Sequence, residues 1–114
     1  MSQRQIENTI PVLPVRDLGF SMAFYRSVLG FEMEWQTDAV CSVARDGCSI
    51  MLQQQDEVTG GTVWIGVEDD SIFAEILSSD ATIVQQPTNQ PWAYEMKIAD
   101  PDGNVLWLGT GPKS

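Results

Sequence analysis

The chain has 114 residues, 43% of them hydrophobic, which fits one domain able to bury its own core. Sixteen acidic residues against six basic ones give a net charge of −10, and there is no histidine. That balance disfavours nucleic acid as a partner, and the missing imidazole removes every Ser-His-Asp triad, Cys–His pair and HExxH site.

Residues 1–10, MSQRQIENTI, lack the apolar stretch of a secretory signal, and no later run is long enough to span a membrane. A first strand is predicted over 9–15, with Pro11 and Pro14 marking an edge or an interrupted ladder. Asp17 can cap the helix that follows, in which Leu18, Met22, Tyr25 and Leu29 recur at helical spacing and Gly30 gives the stop. FEMEWQ (31–36) alternates as a strand, placing Phe31, Met33 and Trp35 on one face. Strands at 39–44 and 48–55 flank an Arg-Asp-Gly turn at 45–47. Cys41 and Cys48 do not form a CxxC pair, so free thiols in a cytoplasmic protein are expected.

The polar, glycine-rich segment 56–61 reads as a connector, and the pattern then begins again. A strand is predicted over 62–68, caps at 69–71, a short helix at 72–77, a strand at 81–86, a loop at 87–92 and strands at 93–99 and 104–109. The chain is therefore a β-α-β-β-β unit written twice. Module one covers about 9–55, the linker about 56–61 and module two about 62–110, all within a single domain spanning 1–114.

The strands carry two unlike faces. Pro11, Leu13 and Val15, then Ile50 and Leu52, Val63, Ile65 and Val67, and Leu106 and Leu108 form an aliphatic face for the helices. The other face holds Ile10, Val12, Met51, Gln53, Gln55, Thr62, Trp64, Gly66, Val105, Trp107 and Gly109. Large aromatics, a few polar groups and glycines suit a ligand cleft. The same face suits packing against a second subunit.

IPVLPVRDLGFSMAFYRSVLGFEMEW (10–35) and YEMKIADPDGNVLWLG (94–109), with TVWIGVEDDSIFAEI between them, resemble the vicinal-oxygen-chelate superfamily, which includes glyoxalase I, extradiol dioxygenases and bleomycin-resistance proteins. The resemblance covers nearly the whole chain. It implies an α+β fold in which two βαβββ modules form a curved mixed sheet around a cleft, with helices on the outer face, in a homodimer. Catalytic members hold a divalent metal through His, Glu or Gln on four strands. The matching positions here are Ile10, Met51, Thr62 and Trp107, so no metal, no cofactor and no catalytic residue is expected. The pattern is that of the binding members. The expected function is capture of a planar aromatic, possibly cationic, small molecule at a dimer interface, by Trp35, Met51, Gln53, Thr62, Trp64, Glu95 and Trp107. Glu34 is a further candidate for meeting positive charge. The alternative is a lyase or isomerase with a carboxylate base, for which Glu95 is the candidate. DPDGN (100–104) reads as structural, with Gly103 at positive φ and Asn104 making side-chain turn bonds.

Overall fold

A computed structural model describes residues 4–114. Module one runs β1 (Val12–Val15), α1 (Leu18–Leu29), β2 (Glu32–Gln36), β3 (Val40–Arg45) and β4 (Cys48–Gln54). Module two runs β5 (Thr62–Gly66), α2 (Ser71–Leu77), β6 (Thr82–Asn89), β7 (Tyr94–Ala99) and β8 (Val105–Thr110). The repeated βαβββ pattern is thus observed. Each module makes its own four-stranded mixed sheet, in the orders β1-β4-β3-β2 and β5-β8-β7-β6. The parallel pairs are β1 with β4 and β5 with β8. Among the described residues β1 and β5 are each the outermost strand of a sheet.

Local chemistry sets the element ends. The Asp17 carboxylate accepts the Phe20 N–H at 2.8 Å, and Gly30 closes α1 in the left-handed region at φ 70°. At α2 the Asp69 carboxylate accepts the Ser71 N–H at 2.9 Å, one residue earlier than a conventional cap, while Asp70 makes no cap bond. β1 is shorter than expected and begins only after Pro11, which has no N–H to give a ladder.

Two expectations are corrected. β6 does not stop at 86 but continues through Pro87 to Asn89, as an edge strand with register shifts. Proline is tolerated there because its missing N–H faces no partner strand. Met33 and Trp35 do not share a face: a bulge in β2 sets Met33 opposite Val43 and Trp35 opposite Ser42. Val43 and Ser42 are neighbours along β3, so their partners point to opposite sides.

Most of the aliphatic face is buried as its alternation predicts, while Pro11, Val63, Ile65 and Val67 are only partly buried. Leu13, Val15, Ile50, Leu52, Met96, Ile98, Leu106 and Leu108 join Tyr25, Leu29, Phe73 and Ile76 in one apolar cluster drawn from both modules. The DPDGN turn ties these parts together. Asp100 accepts the Tyr25 hydroxyl at 2.8 Å, and Asn104 donates to the Pro14 carbonyl at 2.9 Å while accepting the Gly61 N–H at 2.6 Å. Burial, followed by the negative charge of Asp100 and the hydrogen bond to it, pushes the Tyr25 phenol well above its ordinary range. Gly103 has φ 82°, as its place in the turn requires.

Candidate ligand-binding site

The site is built on the sheet faces turned away from the helices. In module two the register sets Trp64 opposite Trp107, Lys97 opposite Trp107, and Glu95 and Gly66 opposite Gly109. Facing residues share a side of the sheet, so Trp64, Trp107, Lys97 and Glu95 gather on one face. Leu106 and Leu108 lie on the other. Trp107 therefore lies outside the aliphatic core, half-buried on the candidate face.

Two glycines make room for the aromatic pair. Trp64 meets Trp107 edge to face, with ring centroids 5.2 Å apart and planes at 84°. This is a preferred geometry, worth about 0.5–1.5 kcal/mol beyond buried area. The six-membered ring of Trp64 lies over Gly109, where an added Cβ would overlap Cη2 and sit 2.8 Å from Cζ3. Its Nε1 lies 3.3 Å from the place a Cβ would take on Gly66. The pair leaves Trp64 48% exposed.

Glu95 is the polar centre of this face. It is 1% exposed, and its oxygens accept the Trp92 indole N–H at 2.7 Å and the Gln85 amide at 3.0 Å. Burial pushes the carboxyl up, but the hydrogen bonds from Trp92 and Gln85, the nearby Trp107 indole and the charge of Lys97 together outweigh it and hold the carboxyl below its ordinary 4.5. The Trp107 N–H contributes by proximity rather than through a formed hydrogen bond, since Nε1 is buried without a partner at bonding geometry. The Lys97 ammonium sits 4.7 Å from the centre of the Trp107 ring. A general base requires the opposite shift.

In module one Met51 lies between Val12 and Ser42, and Ser42 faces Trp35. Gln53 shares this side of β4 and accepts the Gln55 amide at 3.1 Å. Glu34, at the β2 bulge, accepts the Ser42 and Ser49 hydroxyls, both at 2.7 Å on Oε1. Those two bonds hold its carboxyl below its usual range against a small opposing effect of burial. The expected residues thus fall into two groups on two sheets. Trp64, Glu95 and Trp107 cluster, with Thr62 on the same face beside Val105; Trp35, Met51 and Gln53 belong to the other sheet. A groove of about 360 Å³ runs between the segment leading into β1, the start of β4 and strand β5, lined by Ile10, Ser49, Ile50, Val63, Trp64 and Gly66 among others.

Sequence reasoning missed Trp92, Lys97 and Gln85. Lys97 had a signal, because it alternates with Glu95 along one strand. Trp92 stands in a loop, where no alternation reports its direction.

The metal positions of catalytic relatives do not fit a metal here. Ile10 and Met51 offer an alkyl group and a thioether, Thr62 a neutral hydroxyl and Trp107 an indole that has no lone pair to give. None is a usual ligand of a divalent ion. Among the described residues no three His, Cys, Asp or Glu side chains gather as a metal site.

Paired βαβββ modules define a fold class also seen in solved structures. TioX from Micromonospora sp. ML1 is 19% identical over 92% of this chain and 98% of its own, with a TM-score of 0.80. TnmS3, an antibiotic binding protein from Streptomyces sp. CB03234, is 22% identical over 96% and 99%, with a TM-score of 0.78. Integron cassette protein HFX_CASS4, from the mobile metagenome of the Halifax Harbour sewage outfall, is 24% identical over 92% and 99%, with a TM-score of 0.80. These likenesses are likenesses of fold. Among curated protein sequences none matches. The model of the Glyoxalase/Bleomycin resistance protein/Dioxygenase superfamily matches residues 8–108, and the chain belongs to that superfamily.

Proposed function

We propose that this protein binds a planar aromatic small molecule without transforming it. The observation that carries this reading is the Trp64–Trp107 pair, seated over Gly66 and Gly109 on a face that keeps Trp64 half exposed. Indole faces and edges are good partners for flat rings. Superfamily membership supports small-molecule binding, and so does the fold shared with TnmS3, itself an antibiotic binding protein. Trp35, Met51, Gln53, Thr62, Trp64 and Trp107 are the proposed lining, while Glu95, 1% exposed and bonded to Trp92 and Gln85, stands behind it instead of meeting the ligand as the sequence reading expected.

The complete cleft in this reading belongs to a homodimer. Exposed apolar surface on the two sheet faces supports it, and not open strand edges, since the Pro14 carbonyl of β1 is already taken by Asn104 of module two. Val12, Trp35 and Trp64 are exposed large apolar side chains on these faces. A second copy would bring the Trp35–Met51–Gln53 wall of one chain against the Trp64–Trp107 wall of the other. Binding is proposed to be metal-free and cytoplasmic. In support, the donor set is poor and both cysteines are unpaired. No helix among the described residues is long and apolar enough to cross a membrane.

Four measurements test the reading. Sedimentation equilibrium should give about twice the chain mass of 12.6 kDa. Planar cationic, neutral and anionic aromatics should be screened by tryptophan fluorescence, and at least one should quench it saturably. Trp107→Ala should weaken that binding about tenfold, equivalent to 1.4 kcal/mol, while the fold survives. Severe unfolding with affinity unchanged would place Trp107 in a purely structural role, and a stoichiometric zinc, nickel, manganese or iron ion in the purified protein would overturn the metal-free assignment.

The lyase or isomerase reading rests on a carboxylate base, and the lowered pKa of Glu95 weakens its only candidate.

A further inference from the structure

We propose that Glu95 is a positioning residue: its carboxylate tethers the ring of Trp92 and orients that of Trp107, so that Trp92 becomes a third aromatic element of the binding wall. The proposal rests on the binding function argued above and deepens it.

Trp92 presents an unusual combination. Its residue surface is 61% exposed, yet its N–H donates at 2.7 Å to a carboxylate that is 1% exposed. An exposed indole on a hairpin turn ordinarily samples several rotamers. A short hydrogen bond to a charged acceptor is among the strong ones and selects one rotamer. The backbone supports the same placement, because the Gln90 N–H bonds to the Ala93 carbonyl at 2.8 Å and closes the turn carrying Trp92. Gln85, across the strand pair, fixes the second carboxylate oxygen at 3.0 Å, so Glu95 has little freedom of its own.

Trp107 completes the arrangement. It stands on the same face as Glu95, two residues along β8 from the Gly109 that Glu95 faces, and its buried Nε1 has no hydrogen-bond partner. Attraction between that N–H dipole and the nearby anion favours the observed orientation of the ring, edge to face with Trp64. Glu95 stands directly opposite Gly109, over which Trp64 lies. One anion thereby holds the Trp92 indole on the face that carries the Trp64–Trp107 pair. Its oxygens are engaged from within the protein, which leaves the rings as the surface a ligand meets. Preorganised rings of this kind lose little entropy on binding.

Nitrogen-15 labelling gives a direct test, because the four tryptophans yield four indole N–H signals. Trp92→Phe keeps a ring, removes the tether, and identifies the Trp92 signal by its disappearance. In the unmodified protein the Trp92 and Trp107 N–H protons should exchange with water at least tenfold more slowly than that of Trp35. Glu95→Gln should speed Trp92 exchange at least tenfold while the other backbone amides keep their protection. Binding is read with the planar cation 9-aminoacridine. Glu95→Gln and Trp92→Phe should each weaken it about fivefold, and the double variant should be no weaker than either single one, the sign of a shared interaction.

Fast Trp92 exchange that Glu95→Gln leaves unchanged would overturn the tether. So would additive losses, or a loss on Glu95→Gln that Trp92→Phe does not share, since Glu95 would then contact the ligand directly. If 9-aminoacridine fails to bind the unmodified protein, the binding role of Trp92 falls for that ligand. The exchange rates then decide the positioning role separately, so the two failures are distinguishable. If Glu95→Gln does not fold, Trp92→Phe still decides the matter: the Trp107 signal and the backbone amides should be unchanged while 9-aminoacridine binding falls.

Discussion

Asp100→Ala should destabilise the protein by roughly 3–5 kcal/mol, given that hydrogen bonds to charged groups contribute about 1.5–3 kcal/mol each and that orphaned buried donors add about 1–3 kcal/mol. The carboxylate accepts four bonds: the Tyr25 hydroxyl at 2.8 Å, the Asn104 side-chain amide at 2.8 Å, and the backbone N–H groups of Asp102 and Asn104, both at 2.9 Å. Tyr25 and Asn104 are fully buried, so water cannot readily replace what the substitution removes. The losses do not add in full because the donors share one acceptor. A melting temperature lower by about 12 °C or more follows from the usual scaling of roughly 4–8 °C per kcal/mol for a small domain. Thermal and urea unfolding check this. Asp100→Asn, which keeps the shape but turns one acceptor into a donor, should fall between the two. A loss under about 1 kcal/mol for Asp100→Ala would mean that the turn does not hold the modules together, since ordinary surface substitutions stay within about 0.5 kcal/mol.

The residues of this network show what a sequence can disclose. DPDGN is legible as a turn because its bonds are local: Asp100 reaches two and four residues ahead, and Gly103 needs only its own φ. The ends of α1 are legible for the same reason, with Asp17 and Gly30 acting within one turn of the helix. The division of Leu106 and Leu108 from Trp107 follows from strand alternation, which needs no partner to be known. The bond from Tyr25 to Asp100 spans 75 residues and has no local signature. The bulge between Met33 and Trp35 was hidden because neither Gly nor Pro marks it; cross-strand register with β3 decides it. β6 ran past its expected end since an edge strand accepts Pro87. The site was half legible. Trp64, Glu95 and Trp107 belong to alternating strands, so their common face could be read. Trp92 reaches that face only by bonding to Glu95 from a turn, and the separation of Trp35, Met51 and Gln53 onto another sheet is a property of the topology alone.

Gly109→Ala should disable the aromatic site while leaving the fold largely intact. The backbone at 109 is not in the left-handed region, so an L side chain is conformationally acceptable there, and the obstacle is the Trp64 ring. An added methyl would overlap Cη2 and stand 2.8 Å from Cζ3 and 3.1 Å from Cζ2. A ring locked in a core would make this a strain of about 1–3 kcal/mol. Trp64 is instead half exposed and can swing toward solvent, so the stability loss should be about 1 kcal/mol, comparable to the lost edge-to-face pairing. The consequence for function is larger. With Trp64 displaced from Gly66 and Trp107, any flat ligand that stacks in this cleft should bind at least tenfold more weakly, about 1.4 kcal/mol. Circular dichroism reads the displacement without a ligand, because indoles with centroids 5.2 Å apart couple strongly and the coupled signal vanishes when one leaves. Trp64→Ala supplies the control. In that background Gly109→Ala should change stability by less than about 0.5 kcal/mol, since the methyl then meets no ring and behaves as an ordinary surface change. A retained coupled signal in Gly109→Ala, or an equal penalty with and without Trp64, would show that the glycine serves the backbone and not the aromatic ring laid across it.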